Sequence, residues 1–109
     1  MKYVLLLLCS LFLFGTASAA DEAKTQYATF CVACHGDAGK GDGVAGAALD
    51  PKPSDLSTTK MTDDEMAKII KEGGTAVGRS AMMSPWGAVM DEAQLKAMVA
   101  YIRTLAAPK

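Results

Sequence analysis

The stretch Cys31-Val32-Ala33-Cys34-His35, followed by Gly36, decides the reading of this chain. Two thiols three residues apart lie on one helical turn, where both can reach the vinyl groups of a single porphyrin and form thioethers. The next residue then turns its imidazole toward the iron from the same side. The pattern predicts one covalently attached c-type haem, with Cys31 and Cys34 as its thioether residues and His35 as an axial ligand.

Other uses of the same thiols fail on the rest of the chain. A redox dithiol of the thioredoxin kind needs βαβ units, and no run of alternating β-branched residues reads as a strand. A structural zinc site needs four ligands, usually Cys or His, and His35 is the only histidine among 109 residues.

The amino terminus predicts export. Lys2 supplies a positive n-region, Val4 to Phe14 are almost wholly apolar, and Ala17-Ser18-Ala19 matches the small-residue cleavage pattern. Residues 1–19 are read as a signal peptide cleaved after Ala19, with Ala20 the second choice, and residues 20–109 as one mature periplasmic domain. The apolar run falls short of the roughly 20 residues that cross a bilayer, so no membrane span is expected in the mature chain. Cys9 leaves with the leader, and only Cys31 and Cys34 remain.

Composition bounds the remainder. A mature chain of this size makes one domain with a marginal core of its own, which a covalent haem would complete. Losing Lys2 leaves ten cations against twelve carboxylates, a formal charge of −2. A near-neutral, slightly acidic surface gives no reason to expect nucleic acid as a partner.

Three helices are legible, and no strand is required. Asp21 to Ala33 reads as a first helix, since Ala23, Tyr27, Phe30 and Cys34 recur along one face. Thr62 and Glu65 form a capping box for a second helix that ends at Gly73-Gly74, with Met66, Ile69 and Ile70 inward. Asp91 and Gln94 repeat the device for a third, whose apolar stripe is Leu95, Met98, Val99, Ile102 and Leu105. Between the first two helices lies a loop carrying five glycines, Pro51 and Pro53, placed to wrap over a haem edge, with a short helical turn near Ala47 to Leu49. Its GxGxxG run, Gly41 to Gly46, follows no strand and has no room for a dinucleotide fold.

With one histidine, a second axial ligand must be a different residue type, and methionine is the natural candidate. Met66 and Met98 lie on apolar helix faces, while Met61 and Met90 sit where staple residues sit. Met82 and Met83 remain, in the irregular stretch between the last two helices, and spacing does not choose between them. In the same stretch Arg79 is a candidate partner for a haem propionate or a solvated surface residue, and Trp86 a core aromatic.

Several of these segments together resemble the small monohaem class I c-type cytochromes of bacteria: Tyr27 four residues before Cys31, CVACHG, GKGDG, PKPSDL, MSPWG from Met83 to Gly87, and AYIRTL from Ala100 to Leu105. The likeness covers nearly all of the mature chain. It implies an all-α, cytochrome c-like bundle of three main helices and long loops around one covalent haem c. It puts the methionine ligand at Met83, where Ser84 replaces the usual proline, with Met82 as the lesser alternative. It also implies that the other His35 nitrogen donates to a backbone carbonyl in the loop near Pro51 or Pro53. The first and last helices should cross near Tyr27 and Tyr101.

The function this implies is single-electron transfer between transient redox partners by a monomeric periplasmic carrier. With both axial positions filled, no open site is expected for a substrate, so an enzyme is not expected. Two alternatives stand beside it. One is a haem-based ligand binder or sensor with a weak methionine bond, and the other is a fixed electron-transfer subunit of a larger oxidoreductase.

Overall fold

The computed structural model describes residue 15 and residues 17–106. The expected leader therefore lies for the most part outside the described residues. Four helices appear, α1 Ala19–Phe30, α2 Val32–His35, α3 Asp63–Glu72 and α4 Glu92–Leu105, and no strand among the described residues.

The expected first helix is two helices in a nearly continuous path. In the full chain it begins earlier than its acidic residues suggested, because the Ser18 side chain accepts from the Asp21 N–H at 3.2 Å and acts as the N-cap, a cap that cleavage after Ala19 would remove. Asp21 and Glu22 then occupy the first turn, where negative charge suits the helix dipole. The break falls at Cys31, whose φ of −113° bends the chain without ending the helical hydrogen bonds. Its N–H donates to Tyr27 O (2.9 Å), and the His35 N–H donates to Cys31 O (2.8 Å). α2 is thus a bent continuation of α1 that presents the two thiols and the imidazole. Gly36, at φ +79°, ends it in a conformation that glycine adopts without strain.

The two capping boxes form as the spacing predicts. Thr62 Oγ1 accepts from the Glu65 N–H while Glu65 Oε2 accepts from the Thr62 N–H (2.7 Å), and Asp91 and Gln94 do the same for α4. Short 3₁₀ turns fill parts of the loops at Gly46–Ala48, Leu56–Thr58 and Gly74–Val77. The first lies where a helical turn was expected, and the other two carry no periodic signal.

α1 and α3 both pack against α4. The core they share contains Tyr27, Met66, Ile70, Met90, Leu95, Met98, Val99 and Ile102, so the predicted inward faces of the second and third helices are the buried ones. Ile69 and Leu105 stand at its half-buried margin. Tyr27 meets Tyr101 between α1 and α4 at a ring separation of 5.2 Å, tilted by 54°, and Phe30 meets Trp86 at 4.9 Å. Both pairs lie in the range where tilted aromatic rings attract. Polar ties reinforce the same contacts: Arg103 donates to Asp63 Oδ1 (2.9 Å) and to Met61 O (2.7 Å), and Gln94 donates to Glu22 (2.6 Å).

Candidate functional site

The turn Cys31–His35 is held from three directions. A helix C-terminus leaves its last carbonyls without intrahelical partners. Here the glycine-rich loop supplies them: Ala33 O accepts from Ala45 (2.8 Å), Cys34 O from Gly43 (3.1 Å) and His35 O from Gly41 (2.8 Å). The fourth carbonyl, Gly36 O, accepts from the buried Tyr27 hydroxyl at 2.7 Å. Loop backbone comes so close that a side chain at Gly43 would strike the carbonyls of Val32 and Ala33, and one at Gly46 would stand 2.6 Å from Cys34 O. Glycine is thus required by approach to this turn's backbone, where the sequence suggested approach to a porphyrin.

His35 Nδ1 lies 3.1 Å from Ser54 O. A carbonyl only accepts, so Nδ1 carries the proton and Nε2 the lone pair. Burial lowers the imidazole pKa below its ordinary value, and the Ser54 bond offsets this in part. Desolvation, the larger effect, favours the neutral ring, and the Ser54 bond orients it with one nitrogen free to bind a metal. The acceptor is neither Pro51 nor Pro53 but the residue directly after Pro53, and the path of a 19-residue loop decides that, not the proline itself.

Cys31 is buried and Cys34 half-buried, both as free thiols. Burial, and secondarily Cys34, push the Cys31 thiol up to about 11. Among the described residues no three His, Cys, Asp or Glu side chains cluster as a metal site.

The neighbouring methionines Met82 and Met83 face different surroundings. Met83 is half-buried and packs against the core cluster that also contains Cys31, while Met82 is 57% exposed. The segment around them is pinned to α3, as Met83 O accepts from Gly74 (2.9 Å) and the N–H groups of Trp86 and Gly87 donate to Ile70 O (2.8 Å) and Lys71 O (3.0 Å). Gly73 permits this, since a Cβ there would lie 3.1 Å from Met83 O.

A cavity of about 680 Å³ opens between the loop that anchors His35 and the segment that leads to Met83. Ser54 lines one side, Met61 and Glu65 at the start of α3 another, and Val77 and Arg79 a third. Its volume falls within the roughly 300–1,000 Å³ of cofactor sites. None of Cys31, Cys34, His35 and Met83 lines it. The fit to a covalent haem rests on the donor set: two thiols and an oriented imidazole on one turn, and a thioether packed on the same core. The cavity wall, with Ser54 and Lys60 among its residues, was not read from the sequence; nothing in local spacing brings these positions together.

The cytochrome c family model matches residues 20–106. The chain is 33% identical over 96 residues to the Cbb3-type cytochrome c oxidase subunit FixP of Bradyrhizobium diazoefficiens, covering 86% of this chain and 31% of that protein. It is 27% identical over 93 residues to subunit CcoP of Azospirillum brasilense, covering 85% and 30%. The chain therefore spans about a third of the length of these curated relatives. Among solved structures it resembles a chain of the Kuenenia stuttgartiensis reducing HAO-like protein complex, with a TM-score of 0.64, 25% identity and coverage of 78% of this chain and 41% of that one. With the helical fold and the Cys31–His35 turn in place, the match over residues 20–106 means that the chain belongs to the cytochrome c family of electron-transfer proteins, which hold haem c covalently.

Proposed function

We propose that the protein is a periplasmic single-electron carrier in which Cys31 and Cys34 hold one haem c as thioethers, with His35 and Met83 as axial ligands. The observation that carries this reading is the state of His35: half-buried, its pKa lowered by desolvation, and held through Nδ1 to Ser54 O, with Nε2 left as a lone-pair donor. When bound, the haem supplies a one-electron iron couple. The chain's own residues do the rest. Ser54 fixes the imidazole plane and tautomer, and the loop bonds to Ala33, Cys34 and His35 keep the turn from rotating. Small movement at these groups between redox states means small reorganisation, which electron transfer requires.

Met83 is favoured over Met82 because a ligand sulfur must leave water for the core side of its loop. Met83 packs there, and Met82 does not. The leader-like residues 1–19 support export, and filled axial positions support a carrier over an enzyme. Transient redox proteins are the partners of such a monomer.

A spectrum and a redox titration of the expressed protein test the reading. The ferric form should show the sulfur-to-iron charge-transfer band. Met83→Ala should remove the band and lower the potential, while Met82→Ala should keep both; the reverse result moves the ligand to Met82. Fast and complete carbon monoxide binding by the reduced protein at neutral pH would replace the carrier with a ligand binder.

A second reading, a fixed subunit of a larger oxidoreductase, is favoured by the relatives, which are named as oxidase subunits. Co-purification with a stable partner on gel filtration would select it, and elution as a monomer would select the free carrier.

A further inference from the structure

Residues 74–83 form a loop whose base is closed by backbone bonds at one residue, Gly74. Its N–H donates to Met83 O (2.9 Å), and its carbonyl accepts from the Arg79 N–H (2.8 Å). The missing side chain completes the seat. Gly74 is buried directly after the Gly73 cap of α3, and a Cβ on it would overlap the Ser80 carbonyl oxygen and lie 3.3 Å from the Met83 Cβ. That same carbonyl is the acceptor of the Met83 N–H (3.3 Å). Both backbone polar groups of Met83 are therefore set by Gly74, the C=O directly and the N–H through an oxygen that stands where a side chain would be. Neighbouring Met82 has no such seat: its N–H donates to the Ser80 hydroxyl (3.2 Å), a side chain that can rotate. Nor is the far end of the loop tied down, since Gly78 has nothing within 4 Å of the place its Cβ would take.

We propose that Gly74 is the positioning residue of the methionine ligand: its bare Cα seats the Ser80 carbonyl, and that seat fixes the backbone from which the Met83 thioether reaches the iron. The proposal rests on the Met83 ligation above. Ending α3 does not require a second glycine, because Gly73, at φ +85°, already does so. An alanine at position 74 meets backbone rather than the end of a flexible side chain, so Ser80 must withdraw and Met83 loses the acceptor of its N–H. Overpacking strain of the usual size, relieved when the thioether leaves the iron, shifts the balance toward release by about tenfold or more. Thioether ligation raises the potential, so its weakening lowers it.

The test compares the holoproteins of wild type, Gly74→Ala and Ala23→Gly, the last a packing change at a buried position of α1, a helix that contacts α2 and α4. Gly74→Ala should lose most of the sulfur-to-iron charge-transfer band, lower the potential and, when reduced, bind carbon monoxide about tenfold faster. Ala23→Gly should lower the unfolding midpoint and keep the band and the potential. Wild-type values in Gly74→Ala, or the same losses in Ala23→Gly, overturn the proposal. Should Gly74→Ala yield no holoprotein, amide exchange of the wild type decides. Imidazole added to the ferric protein displaces the methionine, and the Gly74 N–H should then exchange about tenfold faster while the amides of α4 stay protected. Unchanged exchange at Gly74 overturns the proposal equally. No band in the wild type, or a band that Met82→Ala removes, would defeat the Met83 ligation and this assignment together, whereas a band that Met83→Ala removes and Gly74→Ala keeps defeats this assignment alone.

Discussion

Tyr27 is 1% exposed, and its hydroxyl has Gly36 O as acceptor at 2.7 Å. Tyr27→Phe keeps the ring against Tyr101 and leaves Gly36 O with the Gly39 N–H as its donor (3.1 Å), so it costs the net contribution of one hydrogen bond, about 0.5–1.5 kcal/mol. Denaturant unfolding of the holoprotein measures it. The same residue sets an alkaline limit. Burial first, and then the charges of Cys31 (only while its thiol is free), Tyr101, Asp37 and Asp42, raise its pKa well above the ordinary tyrosine value. A folded pKa above the unfolded one means that the stability is fully present below about pH 10, the unfolded value, and is lost as pH rises beyond it. Wild type should therefore lose more stability than Tyr27→Phe as pH rises from about 9 to about 11, and parallel curves would remove Tyr27 from the account. At this scale the sequence displayed the chemistry of Cys31, Cys34 and His35 outright, because the motif is local. It showed Tyr27 only as a packing residue, since its acceptor lies nine positions on, past the bend at Cys31. The Ser54 acceptor was hidden for the same reason.

Among the elements, what was legible is what neighbouring residues determine. Both capping boxes and the ends of α3 and α4 follow from contacts within four positions. The start of α1 did not, because Ser18 competes for the cap with the acidic residues that the periodicity favours. Nor did the 3₁₀ turns at Leu56–Thr58 and Gly74–Val77, whose three or four residues are too few for any period to show. The glycine loop was visible as a loop, but its office was not: it completes the C-terminus of α2 by donating backbone N–H groups to three carbonyls. Gly43→Ala tests this. A methyl group there meets backbone oxygens of Val32 and Ala33 rather than the end of a flexible side chain, so the loop itself must move. The expected cost is about 1–3 kcal/mol, as for other overpacked sites. Faster amide exchange at Gly41, Gly43 and Ala45 than elsewhere in the chain should accompany it. A Gly43→Ala variant with wild-type stability and exchange would show that the loop closes on the turn by another route.

For the molecule as a whole, the all-α bundle was predictable because the motif, the caps and the family resemblance agree. The distribution of its core was not. Between Gly36 and Lys60 the buried residues are all glycines, so a stretch of about a quarter of the chain adds almost no apolar surface to the interior. What holds it is hydrogen bonding to α2, the Ser54 contact with His35 and the margin where Leu56 meets the core. Backbone hydrogen bonds contribute only about 0.5–1.5 kcal/mol each, while ordering each residue costs about as much or more. The loop therefore needs an apolar body to lie against, and a covalent haem joined to α2 is such a body. Removing it should unfold the loop before the helices. Cys31→Ala/Cys34→Ala apoprotein is expected to keep part of its helical circular dichroism through the α1, α3 and α4 contacts, but to melt without a cooperative transition. Amide exchange over residues 36–60 should be unprotected, because binding energy that stabilises only the folded state is absent. A double variant that melts cooperatively with protected loop amides would mean that the glycine loop folds on backbone bonding alone, and the haem would then be a passenger in a preformed scaffold.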